Sequence, residues 1–209
     1  MNNFSPNMLK TFKTCSQKYW FKNIEKFSVP QKATFFEKGK KIHALAHYYL
    51  RGDDISKLEK ALTSEEQKIW QSLLNNEYFQ MQYVNSEYNL SCKIDKYWIG
   101  GRIDAIVKNA ADGKYYILDY KTGSIPQNAE IDFQTIVYLL CASKKFGTNI
   151  SFVYIDLKNN TNHVIEFSNE EKYENLITEI CNQIENAQPL EEIEHSQKCK
   201  FCEYQKICY

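Results

Sequence analysis

Two short stretches carry residue types suited to hydrolysis at a phosphate. Asp104 closes Gly101-Arg102-Ile103-Asp104, and Asp119 and Lys121 lie in Ile117-Leu118-Asp119-Tyr120-Lys121-Thr122-Gly123. In an extended chain, side chains two apart point the same way, so Asp119 and Lys121 share a face. An aspartate from a neighbouring strand completes a two-carboxylate set, which suits a hard cation such as magnesium or manganese. A lysine beside it can position or activate water and offset charge on a phosphate. The competing reading is a pair of solvated charges on an edge strand. Ile117 and Leu118 argue instead for a central strand, and the strand breaks at Thr122-Gly123, a common place for a site.

The elements that must hold these residues follow from periodicity and punctuation. Ser5-Pro6 caps a helix expected over about Asn7 to Asn23. A second helix is expected from Glu37 to Leu50, with His43 and His47 on one face, ending near Gly52. Thr63-Ser64-Glu65-Glu66 is a capping box for a helix through Trp70, Leu73, Leu74 and Phe79. The period then changes. Glu87–Lys93, Tyr97–Val107 and Tyr115–Tyr120 read as strands, with Asp112-Gly113 in a hairpin loop between the last two. A helix over Ile131–Phe146 stops at Gly147, strands over Ile150–Leu157 and His163–Phe167 meet at Asn159-Asn160, and Ser168 caps a helix of about Glu170 to Asn186. Helices, a three-strand meander, a helix, two strands and a helix describe an α/β (α+β) fold, a central mixed β-sheet flanked by helices.

The chain has 209 residues, 43% hydrophobic and 25% charged, which suits one sizeable core. Its 26 basic and 26 acidic side chains cancel, so overall charge gives no evidence for a nucleic-acid partner. Glycine is scarce, and no Gly-x-x-x-x-Gly-Lys-Ser/Thr stretch exists, which argues against a P-loop ATPase. No apolar run approaches the roughly 20 residues of a membrane span. The start, MNNFSPNMLK, lacks a secretory pattern, so a cytoplasmic setting and no membrane partner are expected. Seven cysteines in a reducing compartment point to thiolate ligands or buried thiols rather than disulfides. Cys199-x-x-Cys202-x-x-x-x-x-Cys208 supplies three thiols, and a tetrahedral zinc or an iron–sulfur cluster needs a fourth. Cys92, Cys141 and Cys181 have apolar neighbours and read as small buried hydrophobes, which leaves Cys15.

Gly-Arg-Ile-Asp, then Leu-Asp-Tyr-Lys-Thr-Gly, then Gln134-x-x-x-Tyr138, resembles the PD-(D/E)XK nuclease superfamily. Gly39-x-x-x-His43 upstream is similar to its RecB-like branch, which includes the AddB nuclease domain and the CRISPR-associated adaptation nucleases. The resemblance implies a restriction-endonuclease-like core and one nuclease domain over residues 1–209. Its helical part would span about 5–84, its catalytic core about 85–187, and its cysteine tail about 195–209. It implies metal ligation by His43, Asp104, Asp119 and the carbonyl of Tyr120, with Lys121 as the catalytic lysine. Gln134 and Tyr138 would line the site and orient Lys121 or DNA. Glu87 is held open between a site carboxylate and a solvated one, and His47 reads as structural. Leu9-x-x-Phe12-x-x-Cys15-x-x-x-Tyr19 resembles the segment bearing the first cluster ligand in that branch. Cys15, Cys199, Cys202 and Cys208 would then hold a [4Fe-4S] cluster, with zinc as the alternative. The chain departs in having Ser16, where proline is frequent.

The expected activity is divalent-metal hydrolysis of DNA, single-stranded or with single-stranded ends. The setting would be recombination and repair, or a CRISPR adaptation complex. A non-catalytic iron–sulfur or zinc-stapled DNA-binding protein is the rival. Lys10, Lys13, Lys18, Lys22 and Lys26, with Lys38, Lys40 and Lys41, form a candidate DNA surface beside Tyr19, Trp20 and Phe21. The acidic run Glu191 to Glu194 is expected to face away from DNA.

Overall fold

A computed structural model describes residues 3–29, 37–188 and 197–208. The acidic run Glu191–Glu194 lies outside them, as does the side chain of Lys38. Among the described residues, no helix is long and apolar enough to cross a membrane.

The chain opens on a two-residue strand β1 (Asn3–Phe4), and Ser5 then caps α1 (Pro6–Thr14) by accepting from the Met8 N–H. The single long helix expected here is broken. Cys15 is extended, with φ −165° and ψ 112°, and caps α2 (Ser16–Tyr19), which runs into a π-helical turn at Trp20–Ile24. The Lys18 N–H donates to Cys15 Sγ, which explains the break: the thiol acts as a helix cap. The helices α3 (Glu37–Leu50), α4 (Ser56–Lys60) and α5 (Ser64–Leu74) follow. The capping box at Thr63 and Glu66 forms as the sequence requires, but α5 stops at Leu74, and Phe79 packs from a turn.

The strands β2 (Gln82–Ile94) and β3 (Tyr97–Lys108) make a long antiparallel hairpin. Then come β4 (Tyr115–Lys121), α6 (Phe133–Phe146), β5 (Ile150–Asp156), β6 (Thr161–Glu166) and α7 (Glu170–Glu185). A 3₁₀ turn at Gln197–Phe201 and the short α8 (Gln205–Cys208) close the described chain. The strand order is β1-β3-β4-β5-β6, with β2 on the other edge of β3. Because β4 and β5 are parallel, α6 makes the crossover between them. Every residue of β5 is buried, and β4 is central as its Ile117-Leu118 pair implies.

One core lies on each face of the sheet. Tyr97, Ile103, Ile117 and Phe152 meet Val137, Leu140 and Ile177 on the α6/α7 side. Ala105, Leu118, Tyr120 and Val153 meet Ile42, Leu45 and Trp70 on the α3/α5 side. The edge of β3 facing β4 is only partly paired. β4 covers Ala105–Lys108 and β1 covers Trp98–Ile99, so residues 100–104 line a fork between diverging strands.

Candidate active site

The fork gathers the motif residues. Asp104 stands where β3 leaves β4, and its Oδ2 accepts from the Tyr120 N–H at 2.9 Å. From α3, His43 reaches across with Nδ1 3.1 Å from Asp104 Oδ1 and Nε2 3.0 Å from the Tyr120 carbonyl oxygen. Both ring nitrogens therefore face acceptors. Burial alone would lower the His43 pKa, but the Asp104 hydrogen bond and the Asp104 and Asp119 charges outweigh it and raise it. Gly39, four residues before His43, brings α3 against the loop after β4: a Cβ there would lie 3.3 Å from Thr122 Oγ1.

Asp119 and Lys121 share a face of β4, as alternation requires, with Lys121 Nζ 2.7 Å from Asp119 Oδ2. That contact is an ion pair in distance but not an aligned hydrogen bond, so Asp119 Oδ2 is buried without a hydrogen-bond partner. Gln134, at the start of α6, links the pair: its amide N–H donates to Asp119 Oδ1, and its Oε1 accepts from Lys121 Nζ at 3.4 Å. Burial, then the Asp104 charge, push the Asp119 carboxyl up to about 6, against the pull of Lys121 and His43. The Tyr154 ring lies under the lysine, 5.4 Å from Nζ. One turn along α6, the Tyr138 hydroxyl donates to the Arg102 carbonyl at 2.9 Å, tying the helix to the free edge of β3.

Glu87 sits on β2 with φ 48°, a left-handed conformation rare for a side-chain-bearing residue. His47 braces the strand beside it, with Nδ1 2.7 Å from Ser86 Oγ, itself 3.2 Å from the Tyr83 hydroxyl. Glu87 pairs with Arg102 at 2.8 Å. It also shares a group with His43 and Asp104 whose ligand atoms all lie within 4.8 Å of one another. Sequence reasoning left Glu87 open and did not single out Arg102 or Ser86. Cross-strand pairing of an acid with an arginine two residues from Asp104 was the available signal. His43, His47, Glu87, Arg102 and Asp104, with Gly39 and Thr122, line a cavity of about 630 Å³.

The donors suit a hard divalent ion. The Asp104 and Glu87 carboxylates and the His43 imidazole converge, with the Tyr120 carbonyl against His43, while Asp119 lies outside that group, its buried Oδ2 without a hydrogen-bond donor.

The cysteine tail folds back on the chain start. Tyr204 donates its hydroxyl to the Phe27 carbonyl and packs on Phe21, and Glu203 pairs with Lys18 at 2.8 Å. Burial, followed by the charges of Cys202, Cys15 and Cys199, raises the Cys208 thiol pKa, so those three thiols lie within electrostatic reach of Cys208. Cys141 and Cys181 are fully buried and Cys92 nearly so, as their apolar neighbours predict.

The aromatic part of the expected basic surface does not form. Tyr19 is buried in the core, Phe21 stacks on Phe27, and Trp20 donates to Glu25. Lys10 and Lys41 are paired, with Asp132 and Glu66.

Residues 3–209 match the pattern of the PD-(D/E)XK nuclease superfamily, and the chain belongs to that superfamily. A crystal structure of a candidate exonuclease from Eubacterium rectale superposes with a TM-score of 0.56 at 13% identity, covering 96% of this chain and 88% of that one. The likeness establishes a shared fold. The protein SSO0001 aligns at 17% identity over 99% of this chain and 85% of its own, with a TM-score of 0.44. No protein of curated function matches in sequence.

Proposed function

We propose that this nuclease is a divalent-metal-dependent exodeoxyribonuclease acting in the cytoplasm on single-stranded DNA or DNA with single-stranded ends. The observation that carries the reading is the fork itself. It brings His43 within hydrogen-bond distance of both Asp104 and the Tyr120 carbonyl, with the Asp119–Lys121 ion pair on the same stretch of β4. The metal, magnesium or manganese, would be held by His43, Asp104, Asp119 and the Tyr120 carbonyl, and it supplies Lewis acidity and an activated water. Lys121, ion-paired with Asp119, would orient the attacking water and balance charge gathering on the phosphoryl oxygens. Gln134 fixes Lys121 relative to Asp119, and Tyr138 fixes the β3 edge through Arg102.

Cys15, Cys199, Cys202 and Cys208 are assigned to a [4Fe-4S] cluster, with zinc as the alternative. Four half-buried thiols from the two ends of the described chain suit either group, and the lone upstream cysteine favours iron–sulfur. The cluster's role would be to staple the chain start to the tail. Processing of DNA ends in recombination or repair, or trimming of spacer precursors in CRISPR adaptation, are the settings that such a site serves.

The test uses anaerobically purified protein, labelled single-stranded DNA, and magnesium or manganese. Wild type degrades the strand progressively from an end, chelation stops it, and Lys121→Ala is inactive while retaining its fold by circular dichroism. Equal degradation by both proteins overturns the assignment.

A further inference from the structure

Arg102 lines one end of the active-site cavity. A second depression of about 460 Å³ begins at Gly101 and Gly100, the next residues back along β3, and extends to Trp98 and Asn3. Strand alternation puts Asp104, Arg102, Gly100 and Trp98 on one face of β3, opposite the face that α6 covers. The register sets Asn89 beside Arg102, Ser91 beside Gly100, and Lys93 beside Trp98 on β2. Asn3 of β1 flanks Trp98 from the other side. Asn3, Asn89, Ser91, Lys93, Trp98 and Arg102 are all exposed, while the residues alternating with them on β2 and β3 are buried from Leu90 to Ile99. Among the described residues the hairpin is therefore covered on one face only, and its open face leads away from the fork.

We propose that this open face is a binding track for a single DNA strand, continuous with the catalytic fork, with the Trp98 indole as its stacking platform. The inference rests on the nuclease reading of the fork and names where the strand lies beyond it. At a central position of a three-strand surface, this large ring is 39% exposed and lies outside both cores. It offers a base a flat apolar face, and stacking on an aromatic ring is tolerant of base identity. Lys93 opposite supplies a phosphate contact, and Asn89 and Ser91 supply hydrogen bonds. The floor between is bare. A Cβ at Gly100 would come within 2.4 Å of the Leu90 carbonyl oxygen and 2.7 Å of Ser91 Cα, so only glycine fits there. From Asp104 to Trp98 the strand rises about 20 Å, close to six nucleotides at the roughly 3.4 Å spacing of a stacked strand. A duplex is too wide to lay its bases on this floor.

Binding is measured in EDTA with a twelve-residue oligothymidylate, and separately with a duplex of mixed sequence. The oligothymidylate quenches the exposed component of tryptophan fluorescence. Trp98→Ala removes that quenching and weakens binding about tenfold, Trp98→Phe stays within about threefold of wild type, and duplex affinity changes for neither. Hydrolysis of bis(p-nitrophenyl) phosphate, a phosphodiester without bases, proceeds equally in wild type and Trp98→Ala with manganese. Unchanged oligothymidylate binding in Trp98→Ala, or an equal loss on duplex, overturns the track. Failure of wild type to hydrolyse the small diester overturns the nuclease reading instead, because the binding arm needs no catalysis.

Discussion

Replacing Gln134 by leucine tests whether the two halves of the fork act as one unit. The side chain keeps its size but loses both polar contacts, the N–H bond to Asp119 Oδ1 and the acceptor for Lys121 Nζ. Each involves a charged partner, worth about 1.5–3 kcal/mol when well formed. The Lys121 contact is long at 3.4 Å, so it belongs at or below the lower end. If about 3 kcal/mol of orientation is lost where charge develops, kcat falls by roughly a hundredfold. Stability falls as well, because Asp119 Oδ1 is left buried without a donor. A cost of about 2 kcal/mol lowers Tm by about 4–8 °C in a chain of this size. Gln134→Glu retains shape but sets a carboxylate against Asp119, and activity is lower than in wild type. The assay is single-turnover degradation of end-labelled DNA at saturating manganese, beside a thermal melt. A Gln134→Leu enzyme with kcat within threefold of wild type and an unchanged Tm refutes the linkage.

Other regions make independent predictions. Gly100→Ala forces a Cβ against backbone that cannot swing away, and urea denaturation shows a loss of about 1–3 kcal/mol. Phe152→Ala empties a fully buried site between α6 and the sheet and costs about 3–5 kcal/mol by the same measurement. Glu66 is nearly buried, with the Thr63 N–H at 2.8 Å and Lys41 at 3.0 Å, and these hold its carboxyl below the usual range. Its stabilisation is therefore complete above the unfolded carboxylate pKa and lost as pH falls through the lower folded value. Wild type loses stability faster than Glu66→Gln between pH 5 and pH 3, and parallel curves count against the assignment. Cys15→Ser lowers the iron content of anaerobically purified protein, and its tail is cut faster by protease; full iron with wild-type resistance excludes Cys15 as a ligand.

The sequence carried the part of the site that depends on period and spacing. Asp119 and Lys121 fall on one face because a strand alternates, and His43 lands in the fork because α3 sits against the Thr122 turn. Ile117-Leu118 marked β4 as central, and the sheet bears that out. What escaped depends on breaks in the period. Cys15 interrupts a helix that reads as continuous, because its thiol can cap the next turn, and Tyr19 then points into the core. Glu87 takes a left-handed backbone that no local residue preference announces, held by the Ser86 contacts to His47 and Tyr83. The two-residue β1 is too short to show a pattern, and its place beside Trp98 is set by a partner distant in the chain.

The pairing of both chain ends with interior segments has a kinetic meaning. Asn3 hydrogen-bonds beside Trp98, and Phe27 waits for Tyr204. During synthesis, the β2–β3 hairpin and the β4-α6-β5 unit join neighbours in sequence and can collapse early. The first helices must stay undocked until β3 exists, and their far side stays uncovered until the segment around Tyr204 emerges. Contacts between such distant segments form late, because loop closure is costly before they reward it. The catalytic fork is therefore expected to assemble ahead of the clasp between the ends. A stalled or tail-truncated chain would leave Phe21 without its Tyr204 cover while its fork is already in place, which makes the clasp a point at which folding can be monitored.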